Sequence, residues 1–158
     1  MSEIIRIIDQ FKREHDGDPW YGSPLSAILD AVSAADAALR PLPGSHSIWE
    51  LVLHMTSWKK EVRRRLSGGA AALPEDGEWP DVGDPTEKCW AAAKSRLDDA
   101  HRQLMTDIRA TPESRLYEPT NDPRDLQTGA GVTFYQLLHG LVQHDVYHSG
   151  QIALLAKR

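Results

Sequence analysis

The chain has 158 residues, 41% hydrophobic and 26% charged, a length that fits one domain with a sizeable single core. Eighteen Lys and Arg against 23 Asp and Glu leave a formal charge of −5, which disfavours a general polyanion binder, because phosphate contacts need clustered cations. One cysteine, Cys89, excludes an internal disulfide framework and any CxxC metal knuckle, and it fits a reducing compartment.

No apolar run approaches the roughly 18 residues of a membrane helix. The opening stretch MSEIIRIIDQFKREH carries charges every few residues, unlike a signal peptide. The expectation is a soluble, cytoplasmic, globular domain over residues 1–158, with no nucleic-acid or membrane partner. Ile4, Ile5, Ile8 and Phe11 follow helical spacing and predict a short amphipathic N-terminal helix. HDGDPWYGSP, His15 to Pro24, breaks it with two Gly and two Pro. Ser23 and Pro24 read as an N-cap and first-turn proline. Leu25, Ile28, Leu29, Val32, Ala35 and Leu39 carry the next helix to about residue 40, where PLPG closes it. Ser47 and Glu50 form an S-x-x-E capping pair. Their helix aligns Leu51, His54, Met55, Trp58 and Val62 and runs to about Leu66. After a Gly/Pro-rich loop, Asp84, Pro85 and Glu87 signal a third long helix with the stripe Trp90, Leu97, His101, Leu104 and Ile108. An irregular stretch from Thr111 to Val132 precedes the last helix, which Thr133 and Gln136 can cap and which continues through Leu155.

No segment alternates with period two, so the fold class is all-α: four principal helices in a bundle, with a short extra N-terminal helix. The long loops before the third and fourth principal helices should cross over the bundle or cover an opening in it.

Seven histidines occur. His15 and His46 sit in or beside loops, where a solvated imidazole is ordinary. His139 lies about 140° around an ideal helix from His144. His144 and His148, four apart on HGLVQHDVYHSGQIALL, stack on one face together with Leu137, Leu141, Gln151 and Leu155. That face reads as core-directed, and burying neutral imidazoles without strong partners is costly. An i, i+4 pair alone is more often a surface or satisfied-core feature. His54, on the core stripe of its own helix, supplies a third imidazole. Three histidines on two helices make a tridentate divalent-metal site with open coordination positions. This is not the zincin motif, since Asp145 stands where HExxH needs glutamate, nor a di-iron bundle, which needs Glu-x-x-His pairs. His101 reads as a core or boundary histidine bonded to a backbone carbonyl, with an added role at the site as its alternative.

The segment Ser47-Ile48-Trp49-Glu50-Leu51-Val52-Leu53-His54, with Trp58 and Arg65-Leu66, resembles the second helix of DinB/YfiT-like proteins. His144-Asp145-Val146-Tyr147-His148-Ser149-Gly150-Gln151-Ile152 is similar to their last helix, with its HxxxHxGQI pattern. Asp18-Pro19-Trp20-Tyr21-Gly22 resembles a loop of one branch. The resemblance implies a four-helix bundle of non-standard helix order, a metal triad of His54, His144 and His148 holding zinc, nickel or a similar ion, and a homodimer. Its characterised members include transferases and isomerases that use a low-molecular-weight thiol, namely bacillithiol, mycothiol or glutathione.

Three imidazoles and a divalent ion can acidify a bound water to a pKa of about 7 or hold a thiol as thiolate. Hydrolysis and thiol transfer to a small-molecule substrate therefore share one set of ligands. Catalytic groups beyond them are unassigned. Of Asp145, Tyr147, Ser149 and Gln151, only Gln151 shares the face of the histidine pair, so it is the candidate to support a ligand; helix-end packing is its other reading. The basic run Lys59, Lys60, Arg63, Arg64, Arg65 reads as cations opposing a helix macrodipole. Trp49, Trp58 and Trp90 read as packing residues, Trp20 and Trp79 as loop residues that cover the pocket or join a dimer contact. Cys89 reads as a small buried apolar side chain.

Overall fold

The computed structural model describes residues 2–121 and 132–157, whose regular elements are helical: α1 Glu3–His15, α2 Leu25–Asp30, α3 Ala34–Ala38, α4 Ile48–Leu66, α5 Glu87–Ala110, a 3-10 turn at Glu113–Tyr117, and α6 Phe134–Leu155. The only strand-like feature among them is an isolated bridge between Pro119 and Thr133. Residues 122–131 of the expected irregular stretch lie outside the described residues.

The long helices begin where capping chemistry satisfies their first N–H groups. Ser47 Oγ accepts from Glu50 N, while Glu50 Oε2 accepts from Ser47 N at 2.7 Å. Thr133 and Gln136 make the same reciprocal pair ahead of α6. Two boundaries differ from the sequence reading. The helix expected from Leu25 to about residue 40 is two short ones, because Ser33 caps a new helix by accepting from Asp36 N. Thr86, not Asp84, caps α5 by accepting from Cys89 N, which leaves Asp84 and Pro85 outside the helix.

α4 is the central element, packed on α5 and α6, and α1 lies against α5 and α6. The N-terminal helix is thus a 13-residue packing helix rather than a short extra one. It buries Ile4, Ile7 and Phe11 and turns Ile5 outward. Two apolar clusters result. One joins α2, α3 and the first turns of α4 and α5 to Ile152 and Leu155. The other joins α1 to the last turns of α4 and α5 and to Phe134, Leu138 and Leu141. Between them the buried residues are polar: Glu14, His15, His54, Lys59, His101, Asp145, His148 and Ser149. Among the described residues no helix is long and apolar enough to cross a membrane.

Candidate metal centre

α4 presents His54 in its second turn, and α6 presents His144 and His148 one turn apart. The two helices bring one ring nitrogen of each to within 4.8 Å of one another. His54 Nε2 and His144 Nε2 are 3.0 Å apart. The His148 ring lies 4.8 Å from His54 and 4.4 Å from His144, centroid to centroid.

The far nitrogens explain the convergence. His54 Nδ1 donates to the Glu78 carbonyl at 2.7 Å, and His148 Nδ1 to Gln151 Oε1 at 2.7 Å. His144 Nδ1 faces Asp145 Oδ1 at 3.4 Å. With the protons of His54 and His148 on Nδ1, their Nε2 atoms carry lone pairs, and the 3.0 Å approach of His54 Nε2 to His144 Nε2 suits either a proton between the two rings or one cation held by both. Burial first, and the neighbouring imidazoles after it, push the His54 pKa down to about 4; burial also lowers that of His148. Imidazole nitrogens bound to one zinc at about 2.0–2.1 Å stand roughly 3–4 Å apart. The spacing of the three rings and the hydrogen bonds on their far nitrogens fit one divalent ion.

The sheltering groups come from the loop at residues 67–86. The Trp79 ring stacks on His54 at 3.9 Å, and His46 stacks on the other face of Trp79 at 3.4 Å. Trp79 covers the site. Trp20, expected to do so, is fully exposed and lies instead in a groove beside Glu14 and Val146. The loop is fixed to α4 by Glu61, which accepts from Ala72 N at 3.0 Å, and by Arg65, which donates to the Ala72 carbonyl at 3.0 Å. Two clefts reach the histidines. One, about 380 Å³, runs between α4 and α6 past Trp58 and Gly140 to His54 and His144. The other, about 450 Å³, opens on His148, Gln151 and Trp79. Both fall in the size range of small-molecule sites.

Several sequence readings change here. α6 turns Leu138, Leu141, Asp145, Ser149 and Ile152 fully inward, whereas His144 sits at the edge of that face with 26% of its side chain exposed. Lys59 is not a solvated helix-end cation: it is fully buried and paired with fully buried Asp145. Burial opposes the Asp145 charge, but Lys59 alongside holds its pKa below the usual carboxylate range. Ser149 donates to Glu14 Oε1 at 2.6 Å, and burial with Asp145 nearby raises the Glu14 pKa to about 7. His15, expected in solvent, is buried against Asp98 at 2.9 Å and stacked on His101 at 3.9 Å. Among the described residues His101 has no carbonyl partner, its Nδ1 is buried and unbonded, and it stands outside the three-histidine group. Cys89 is exposed.

Sequence reasoning missed Lys59 and Glu14 and passed over Asp145. A signal existed for two of them. Lys59 falls in the buried series Met55, Lys59, Val62, Leu66, and Asp145 in the series Leu138, Leu141, Asp145, Ile152, both at helical spacing.

A family model described as DinB superfamily matches residues 23–152. Comparison with curated proteins and with solved structures returns no match.

Proposed function

The chain belongs to the DinB superfamily, and on that premise we propose that it is a metal-dependent enzyme, a single domain built as a four-helix bundle of the DinB type. His54, His144 and His148 would hold one zinc or nickel ion, and the reaction would be S-transfer from a low-molecular-weight thiol to a small molecule, or hydrolysis. The observation that carries the reading is the convergence of one ring nitrogen from each of three histidines, with Nδ1 of each ring facing a neighbouring oxygen. A bound divalent ion supplies Lewis acidity, which favours the deprotonated form of a coordinated thiol or water.

The rest is the work of this chain. Glu78, Asp145 and Gln151 fix the tautomer and tilt of the three rings. Trp79 covers one face of His54 and keeps water from it. The two clefts give two separate approaches to the rings, one past His144 and one past His148, which suits a reaction of two partners. A cytoplasmic homodimer belongs to the same reading.

The test is elemental analysis of untagged protein, followed by zinc and nickel titration of chelator-stripped protein. One ion per chain is expected, with uptake lost in His54→Ala, His144→Ala and His148→Ala while the far-ultraviolet circular dichroism is retained. A wild-type chain that binds neither metal sinks the reading. Metal uptake with no turnover across electrophiles offered with bacillithiol, mycothiol or glutathione would make the chain a metal-stabilised binding module instead.

A further inference from the structure

The wall of the α4–α6 cleft is apolar except at its ends. Along α4 it is lined by His54, Trp58, Val62 and Arg65, each one turn on from the last. Arg65 is a buried cation on this wall. Its Nε donates to Glu61 at 2.9 Å and its Nη2 to the Ala72 carbonyl at 3.0 Å, which leaves Nη1 without a hydrogen-bond partner among the described residues. Glu61 does not neutralise it fully, because the same carboxylate also takes two bonds from Arg64. Two guanidiniums share one carboxylate, so the pair retains net positive charge. The Arg65 guanidinium sits 5.8 Å from the Trp58 ring, and that ring lies 6.3 Å from His54 and 6.4 Å from His144. One indole therefore separates a buried guanidinium from the histidine cluster.

On the α6 side the wall opens at Gly140, where an added Cβ would meet nothing within 4 Å. The remaining charge on the lining is Glu78, whose carbonyl is already taken by His54 and whose own residue is exposed.

We propose that this cleft binds a small, largely apolar monocarboxylate, its carboxylate on Arg65, its body over Trp58 and its far end at His54 and His144. This rests on the metal-enzyme reading for what happens at that far end and names the substrate class for it. A guanidinium with a free N–H in an apolar, partly closed cleft favours a carboxylate over its neutral amide, since the amide leaves a charge that Glu61 only shares with Arg64. An aliphatic or aryl body gains by covering Trp58.

The probes are 3-phenylpropionate and 3-phenylpropionamide, titrated by calorimetry or ligand-observed NMR into zinc-loaded and chelator-stripped protein. The carboxylate is expected to bind at least tenfold tighter than the amide in both forms, because the preference comes from Arg65. Arg65→Met should reduce the preference to less than twofold. If that variant fails to fold, Arg65→Gln, which keeps donors for Glu61 and Ala72, replaces it. A Cβ at Gly140 meets nothing within 4 Å and the position lines the cleft, so the Gly140→Leu side chain projects into it and should weaken both probes at least tenfold while leaving zinc uptake intact. Equal binding of the two probes overturns the proposal. So does a preference that survives loss of the guanidinium, one that vanishes when zinc is removed, or unchanged binding in Gly140→Leu. Zinc uptake is read separately: its absence with the carboxylate preference intact sinks the metal reading alone, and its presence without the preference sinks this one alone.

Discussion

Lys59 and Asp145 are both fully buried, and each is the other's counter-charge. The value of such a pair lies in its being whole. Desolvating two ions consumes much of what their attraction returns, but removing one leaves the other buried and unpaired, at a cost of about 3–5 kcal/mol. Lys59→Met leaves Asp145 facing the Glu14 carboxyl with no cation, and urea unfolding should register a loss of that size. Lys59→Met with Asp145→Leu removes both members of the pair and should recover most of it; a double variant as unstable as the single one contradicts this account. Asp145→Asn separates a second role. It removes the carboxylate that faces His144 Nδ1, so zinc affinity should fall about tenfold or more, in the range seen when a ligand's outer partner is lost. Retained zinc affinity in a folded Asp145→Asn protein argues against that role.

The three histidines were legible as a group at this scale because i, i+4 spacing and a stripe position are read directly from sequence. Their partners were not. Glu78 acts through its backbone carbonyl, which no side-chain pattern reports. Glu14 meets Ser149 across 135 residues of chain. Lys59 was lost in a run of five cations, where composition suggested a solvated helix end and only its phase within Met55, Lys59, Val62, Leu66 marked it as internal.

Among the elements, α4 and α6 were the most legible, since each opens on a reciprocal cap and holds its buried spacing for five turns or more. The stretch after Leu25 was the least. Its apolar spacing continues across Val32, but Ser33 competes as a cap and wins by accepting from Asp36 N, so one periodic pattern becomes two short helices. The caps also make a prediction. Ser47 Oγ and Glu50 satisfy the first turn of α4, whereas His54 lies a further turn inside. Ser47→Ala should cost about 1 kcal/mol of stability. Zinc affinity should stay within twofold of wild type, because fraying is confined to the first turn. Loss of zinc binding in that variant would show that the cap positions the site, contrary to this reading.

At the scale of the molecule, two apolar clusters are joined through a polar middle, and that layer governs how the protein responds to acid. Burial, together with His15 and Lys59, lowers the His101 pKa to about 2. Burial and Lys59 also lower that of His15, and burial brings His54 to about 4. In the unfolded chain these imidazoles titrate near 6.5. Between the folded and unfolded values the unfolded state binds more protons, so their contribution is complete above pH 6.5 and is lost as pH falls below it. Glu14 acts with the opposite sign. Its folded pKa of about 7 exceeds an unfolded value near 4.5, so the folded state holds the extra proton and Glu14 costs stability as pH rises from 4.5 to 7. Metal-free protein should therefore show a stability curve that is steep below pH 4.5 and flatter between 4.5 and 6.5, where the two effects oppose each other. His101→Phe, which keeps a ring against His15, should reduce the slope between pH 3 and 6 by about one proton, or about 1.4 kcal/mol per pH unit. Glu14→Gln should steepen the rise with pH between 4.5 and 6.5 and raise stability at pH 8. Chelator-treated samples unfolded in urea across pH 3 to 8 measure both slopes, and identical slopes in wild type and both variants would remove the polar layer from any account of acid lability.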